Sequence, residues 1–369
     1  MKILIIGFAK IKYMPYLNLY LDNIDTNKND VHILYWNRDL QQEDVSHIKN
    51  VTLHEFKCYQ EDDASRVSKI GSFLKFKRYT EDLVKKEKFD FLIVLTSVLA
   101  VLLSNILSGK YRNRYFFDYR DVTYERFSFY KKILQLIEKN SRLTFVSSDA
   151  FRKFFPDEHQ NKIQTTYNFL TDSLNHRNDK EVFGTKSSKI RIAFWGLVRH
   201  EEINIKLIKK LGNDDRFELH YYGKETETAR NLKKYVEANN IKNTFFYGEY
   251  KPEDRYEFIK NTDIIHNIYD DSNMMYATSN KYCDGAIFRI PQICTNGSYM
   301  GEKVEEYGVG CAIDVDSAKL ADDIYIYYNS IAKDEFKANC EKLEKVIIED
   351  YENTVKLIKM HCIKEKSGE

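Results

Sequence analysis

Proline is scarce in this chain, four in 369 residues, and the glycine-rich loops that cradle phosphates are missing. No GxGxxG run follows a candidate strand, which argues against a nicotinamide or flavin dehydrogenase, whose cofactor pyrophosphate needs those glycines. No GxxxxGK[ST] loop occurs, so a P-loop enzyme is excluded. The six cysteines, Cys58, Cys283, Cys294, Cys311, Cys340 and Cys362, include no pair at CxxC spacing, which removes the usual zinc and redox motifs. Their scatter also argues against a disulfide scaffold, and reduced thiols in a cytoplasmic protein are the simple reading. His200-Glu201-Glu202 is not HExxH, because position 204 is Asn. No catalytic metal is expected.

An excess of charge is also missing. Lys and Arg number 57 and Asp and Glu 56, a net charge of +1, which excludes a uniformly basic nucleic-acid binder. No apolar run is long enough to span a bilayer. Residues 91–107 come nearest, but Thr96, Ser97, Ser104 and Asn105 interrupt them, and a spanning helix needs about 20 apolar residues. They read as a buried strand over 91–95 followed by a buried helix. The apolar run after Met1 is too short for a signal peptide and no small-residue cleavage site follows it.

What is present is a recurring alternation. Apolar runs without clean two-residue periodicity occur at 2–6, 31–35, 51–56, 89–95, 114–117, 143–146 and 163–167. They recur at 190–195, 217–222, 244–247, 263–268, 291–294 and 310–313. Such runs suit strands buried on both faces, as in parallel sheets. Helical patterns lie between many of them, for example 69–86, 127–139, 204–211, 228–239 and 318–330, which predicts βαβ units. The polar segment 172–189 is the best linker candidate. After it the pattern restarts with Ile190-Arg191-Ile192-Ala193-Phe194-Trp195-Gly196, an echo of the chain start. The expected fold is α/β, with two tandem doubly wound Rossmann-like domains. The first covers 1–171, the second 190–344, and a C-terminal helix over about 345–369 packs back on the first.

In open α/β sheets ligands bind beyond the carboxyl ends of the strands, so the strand-to-helix turns are the places to search. The most informative is Tyr276-Ala277-Thr278-Ser279-Asn280-Lys281-Tyr282-Cys283-Asp284-Gly285, followed by Arg289-Ile290-Pro291. Ser279 suits an N-cap. Asn280, Lys281 and Asp284 then fall in the first turns, with Lys281 and Asp284 on one helical face. A helix N-terminus favours a diphosphate, Lys281 adds a full positive charge, and Asp284 can accept hydrogen bonds from a ribose. A capped helix with a solvated Lys–Asp pair is the plainer alternative.

The order of turns in the second half continues with Gly196 and Arg199, then Tyr222-Gly223, Gly248, Ser279-Asn280-Lys281, Pro291 and Gly308-Val309-Gly310. It resembles the donor-binding domain of GT-B glycosyltransferases, and most nearly the retaining family 4 type of capsular and exopolysaccharide biosynthesis. Phe117-Asp118-Tyr119-Arg120-Asp121 and Phe145-Val146-Ser147-Ser148 are similar to two recurrent turns of that family's first domain. The resemblance implies that Arg199 and Lys281 stabilise the departing nucleotide diphosphate. It puts Asp284 at the ribose-binding second Glu of the E-x7-E motif, and Tyr276 where the first Glu stands, a departure from the pattern. Gly196 and Gly248 allow backbone to approach the donor, and Ser298-Tyr299-Met300-Gly301 offers N–H groups to phosphate or sugar. On the acceptor side it implies Gly7 and Lys10 in the first turn, with Asp118 and Asp121 near the acceptor hydroxyl, one of them able to take its proton. Pairing of those aspartates with Arg120, Arg114 or Arg126 is the alternative. His200 and His266 read as structural. Asp314-Val315-Asp316 spells the DxD of the other glycosyltransferase fold, but three-residue patterns arise easily by chance.

Residues 66–140 carry sixteen basic side chains against eight acidic ones, interleaved with Phe73, Phe76, Tyr79, Phe127, Phe129 and Tyr130. The near-neutral total conceals this block. It suits peripheral contact with an anionic membrane, and no nucleic-acid motif accompanies it. The resulting expectation is a cytoplasmic glycosyltransferase, able to associate with the inner membrane face. It takes a nucleotide-diphosphate sugar of the uridine type as co-substrate, needs no other cofactor, and transfers the sugar to a saccharide or lipid-linked acceptor in surface polysaccharide synthesis. A non-catalytic partner subunit and a nucleotide-sugar epimerase of the same architecture are the rivals.

Overall fold

The computed structural model describes residues 1–61, 66–179, 188–271 and 273–362. The chain divides into two units, 1–166 with 349–369 and 167–348.

The first unit is built on seven parallel strands, β1 (Lys2–Ile6), β2 (Asp30–Asn37), β3 (Thr52–Lys57), β4 (Phe91–Leu95), β5 (Tyr115–Tyr119), β6 (Leu143–Val146) and β7 (Ile163–Thr165). Their order is β3-β2-β1-β4-β5-β6-β7. The central strands β1 and β4 read Lys-Ile-Leu-Ile-Ile and Phe-Leu-Ile-Val-Leu, apolar on both faces because helices cover both. Right-handed crossovers place every connection that runs from β3 toward β7 on one face. That face carries the helices Arg66–Glu87, Ser97–Leu102, Ser104–Ser108 and Ser128–Asn140. Trp36 stacks on Phe76 at 5.6 Å, Asn105 donates to Glu81 at 2.8 Å, and Tyr115 donates to the Ile137 carbonyl. The opposite face buries Ile3, Ile5, Ile33, Ile93 and Phe116 with Leu17, Tyr20, Ile358 and Cys362. The last two come from the end of the chain, residues 349–362.

The second unit has six parallel strands, β8 (Ile190–Trp195), β9 (Phe217–Tyr222), β10 (Thr244–Gly248), β11 (Ile264–Asn267), β12 (Gln292–Thr295) and β13 (Gly310–Ile313), in the order β10-β9-β8-β11-β12-β13. Both sheets are doubly wound, as expected. The unit begins at 167 rather than after 171, because Tyr167 packs in its core and the 3-10 turn Thr171–His176 is bonded into it. Arg255 donates to Ser173 Oγ and Tyr256 to Asp172 Oδ2, each at 2.8 Å. The rest of the expected linker includes 180–187, which lie outside the described residues, as do 363–369 of the expected C-terminal helix. That helix runs Lys333–His361, and its Phe336, Cys340, Leu343 and Ile347 join the second unit's core.

In a doubly wound sheet the winding direction reverses at one point, and a crevice opens there beyond the strand ends. The order of strands puts these points between β1 and β4 in the first unit, and between β8 and β11 in the second.

Candidate active site

Beyond β8 the chain turns at Gly196, whose φ of +123° belongs to glycine. The Gly196 N–H donates to the Tyr222 carbonyl at 3.0 Å, and the Gly223 N–H donates to the Gly248 carbonyl at 2.8 Å. Gly248 also has a positive φ, +82°. A Cβ on Gly223 would fall 1.9 Å from the Gly196 carbonyl oxygen, so the turn after β9 packs bare backbone against the turn after β8. Nothing lies within 4 Å of where a Gly196 Cβ would sit, and the space above this turn is open. Arg199 follows, exposed, its guanidinium making no hydrogen bond or ion pair among the described residues. His200 is left-handed (φ 62°) and precedes the helix Glu201–Leu211. Its ring lies 2.6 Å from Asp270 and 3.3 Å from Asp271, which fastens this turn to the one beyond β11.

Ser279 caps the helix Asn280–Ile287, its hydroxyl accepting from the Tyr282 N–H at 3.2 Å and donating to Asn267 Oδ1 at 2.7 Å. Asn267 in turn donates to Gln292 at 2.8 Å, so the cap is tied to β11 and β12. Asn280 is half-buried. Lys281 and Asp284 are not the solvated pair that their spacing allows. Both are buried and they have different partners. The Lys281 ammonium donates to Tyr269 Oη at 2.7 Å and lies 4.1 Å from the centre of the Phe194 ring. No carboxylate pairs with it among the described residues. Asp284 accepts from Trp195 Nε1 at 2.9 Å and faces Arg255 at 3.6 Å. Burial pushes its pKa above the usual carboxylate range, against the opposing pull of Arg255, the Trp195 bond and Lys281. Asp284 thus lies beneath Trp195, the residue before the Gly196 turn.

The second helix N-terminus of this region is Tyr299–Glu306, capped by Ser298, whose hydroxyl accepts from the Gly301 N–H at 3.0 Å. A Cβ on Gly301 would meet the Thr295 carbonyl at 2.6 Å. Met300 is buried and its sulfur accepts from the Ser279 N–H at 3.4 Å, so the two capped helices touch. The Tyr299 N–H donates to the Met275 carbonyl at 2.9 Å, and Tyr276 is half-buried beside it. A cavity of about 460 Å³ opens at the carboxyl ends of β11, β12 and β13. Tyr269, Asp270, Thr295, Asn296, Asp314 and Asp316 line it, with Lys206 3.1 Å from Asp316. Among the described residues no group of three or more His, Cys, Asp or Glu side chains is placed to hold a metal ion.

In the first unit the acceptor-side expectations separate into buried and exposed groups. Gly7 donates to the Leu34 carbonyl at 2.8 Å, and a side chain there would collide with Met14. Lys10 is buried, ion-paired with Asp39, and donates to the Gln41 carbonyl. Asp118 is fully buried between Arg120 and Tyr20, whose hydroxyl donates to it at 2.6 Å. Its pairing is therefore the Arg120 alternative weighed above. Asp121 is exposed at the same strand end, its carbonyl accepting from Ser97 Oγ at 3.2 Å. Thr96, beside them at the β4 end, holds φ 78° and ψ 153°, a conformation that is nearly glycine's alone.

No family model matches the sequence, and no curated protein matches it. Among solved structures, a glycosyltransferase from Rickettsia africae superposes with a TM-score of 0.66 at 13% identity, over 99% of each chain. Sucrose-phosphate synthase from Thermosynechococcus elongatus gives 0.70 at 10% identity, over 98% of each chain. HepE from Anabaena, in complex with UDP and glucose, gives 0.63 at 11% identity, over 98% of this chain and 97% of that one.

The fold is GT-B.

Within this GT-B fold, sequence reasoning located the Gly196, Ser279 and Ser298 turns but missed the residues that hold them. Phe194, Trp195, Asn204, Arg255 and Tyr269 supply the partners of the charged groups, and none belongs to a motif. His266 left a faint signal, a histidine in the apolar strand Ile264–Asn267. His266 is buried with its pKa pushed down to about 3, chiefly by burial and then by Lys281. A group whose folded pKa lies below its unfolded value stabilises the fold above the unfolded pKa, about 6.5 for histidine. That contribution is lost as pH falls from there toward 3. The urea midpoint is thus expected to drop between about pH 7 and about pH 5, and to drop less in His266→Gln. An equal drop in the variant would assign the loss to other groups.

Proposed function

We propose that the chain is a glycosyltransferase of the retaining family 4 type, moving a sugar, a hexose by this reading, from a uridine-diphosphate donor to a saccharide or lipid-linked acceptor in surface polysaccharide synthesis. The observation that carries this is Lys281: a buried ammonium with no carboxylate partner among the described residues, at the reversal point of the second sheet and one residue inside a capped helix N-terminus. An unpaired buried charge is costly, and a diphosphate would neutralise it. In this reading Arg199 meets the diphosphate from the open side, above the bare backbone of Gly196. The N–H groups of Asn280 and Met300 face the phosphates and sugar, and Asp284 supports Trp195 from below. The cavity lined by Asp270, Asn296 and Asp314 offers acceptors suited to sugar hydroxyls rather than to phosphate. Charge on the leaving diphosphate is balanced by Arg199 and Lys281, so the mechanism assigns no metal. Asp121 is the exposed carboxylate at the acceptor-side crevice, within the class of groups that take a proton from a hydroxyl.

Thermal shift against UDP-glucose, UDP-galactose and UDP-N-acetylglucosamine tests the donor site. A rise in Tm with at least one is the expected result, and no shift with any of them sinks the proposal. Donor converted to its epimer with no saccharide added would favour the epimerase instead.

Membrane contact is part of the same proposal. No helix among the described residues is long and apolar enough to cross a bilayer. The helical layer over the first sheet nevertheless exposes Ile70, Leu74 and Tyr79 on Arg66–Glu87, Phe127, and Phe129 and Leu136 on Ser128–Asn140. Phe129 is 78% exposed, far more than packing requires. Exposed Lys75, Arg78, Arg126, Lys132 and Lys139 lie within three residues of them in the chain. Both helices begin at the carboxyl edge of the sheet, the edge that carries Thr96 and Asp121. Cosedimentation with vesicles of mixed phosphatidylglycerol and phosphatidylcholine is expected, with little binding to phosphatidylcholine alone. The pair Phe129→Ser and Lys132→Glu should lower bound protein about tenfold, since each basic residue near the surface contributes ~1 kcal/mol. Equal binding to both vesicle types would remove the electrostatic basis.

A further inference from the structure

Arg199 stands on a strained turn, and the Asn204 side chain holds the carbonyls of both Arg199 and His200. Asn204 is buried in the first turn of Glu201–Leu211. Its amide nitrogen donates to the Arg199 carbonyl at 2.9 Å and to the His200 carbonyl at 2.8 Å. Its oxygen accepts from Tyr221 Oη at 3.1 Å and lies 3.0 Å from His266 Nε2. The Ile268 N–H donates to His266 Nδ1 at 3.1 Å, so in the neutral ring Nε2 carries the proton and donates to Asn204. An asparagine amide has two N–H donors and two lone pairs on its oxygen, and all four are used. The direction of the amide is fixed by its partners, since a flipped group would set N–H against the Tyr221 and His266 donors. Asn204 therefore ties the turn after β8 to β9 through Tyr221 and to β11 through His266.

Left-handed backbone is costly at a residue with a Cβ, such as His200 at φ 62°. Without the Asn204 donors, the Arg199 and His200 carbonyls would lose partners that the left-handed turn brings within reach. The Asp270 and Asp271 contacts hold only the His200 ring.

We propose that Asn204 is a positioning residue, which sets the turn so that the Arg199 guanidinium is presented to the diphosphate of a uridine nucleotide. This rests on the donor-site reading above. If Asn204 acts through Arg199, its effect on nucleotide binding must vanish once Arg199 is gone. The probe is UDP, titrated calorimetrically into the full chain as wild type, Asn204→Ala, Arg199→Ala and the double variant. The expected result is UDP affinity about tenfold weaker in Arg199→Ala, about fivefold weaker in Asn204→Ala, and no weaker in the double variant than in Arg199→Ala. Multiplying losses, or wild-type affinity in a folded Asn204→Ala, overturn the proposal. Should Asn204→Ala not fold, Asn204→Ser takes its place in the same cycle. Amide hydrogen exchange across residues 199–203 supplies a reading independent of ligand. Faster exchange confined to that turn in Asn204→Ser supports the positioning role, and unchanged exchange overturns it. A wild type that ignores UDP while the variant loosens the turn would count against the donor reading alone.

Discussion

Turnover of a nucleotide-diphosphate sugar is expected to fall about 100- to 1,000-fold in Lys281→Met, the scale on which losing one preorganised charge-stabilising group acts. Methionine keeps much of the side chain's volume and its contact with Phe194 while deleting the charge. Stability should move the other way. The ammonium is buried against Tyr269 and the Phe194 ring, with no carboxylate paired to it among the described residues, and removing a buried charge that lacks an ion-pair partner relieves desolvation. Steady-state kcat and Tm read on the same preparation separate the two effects. Lost turnover with an equal or higher Tm identifies a group whose charge serves the reaction. Wild-type turnover in Lys281→Met would remove the diphosphate role altogether. In Arg199→Ala the loss should include KM for the donor, because the exposed guanidinium would contact the ground-state diphosphate as well.

The second large effect concerns stability. Asp118→Ala should cost about 3–5 kcal/mol, the range for breaking a buried ion pair by removing one partner. Arg120 would remain in the core without its carboxylate, and the Tyr20 hydroxyl would lose its acceptor. Asp118→Asn should cost less, since the amide oxygen still accepts from Tyr20 or Arg120. Urea unfolding of both variants in a Trp195→Phe background, where Trp36 is the one remaining tryptophan, reports on the first unit by fluorescence. A loss below 1 kcal/mol in Asp118→Ala would show that water reaches Arg120. The same pair bears on chemistry: a carboxylate held by a guanidinium and a phenol is poorly placed to take a proton, which leaves Asp121 as the exposed group at that strand end.

Much of the fold was legible because buried parallel strands need apolar residues on both faces. Phe91-Leu92-Ile93-Val94-Leu95 could be little else once Thr96 and Ser97 broke the run. The helix cap at Ser279 was legible because capping is local chemistry, read from one residue and the three that follow. The burial of Lys281 and Asp284 was not. Their three-residue spacing says that they share a helical face, but what that face meets is decided by Phe194, Trp195, Arg255 and Tyr269, brought in by other strands and turns. The aspartates of the first unit were hidden in the same way: Asp118 and Asp121 look equivalent in sequence, but Asp118 lies inside β5, which is buried on both faces, and Asp121 falls two residues beyond its end, where the chain is exposed. Thr96 could not be suspected at all, since nothing about a threonine announces a glycine-like backbone. Where sequence reasoning worked, the cause lay within a few residues of the effect.

Residues 349–362 belong to the first unit, where Ile358 and Cys362 fill its core beside Ile33 and Phe116. That arrangement sets a clock on biosynthesis. Residue 166 leaves the ribosome with the closing segment still some 180 residues away, a delay of roughly 10–40 s at about 5–20 residues per second. Through that interval the nascent unit has its seven strands but lacks part of the cover on one face, and apolar surface waits for a partner that has not been made. Chaperone occupancy of the stalled intermediate, and sensitivity of yield to translation rate, are therefore written into the order of the chain.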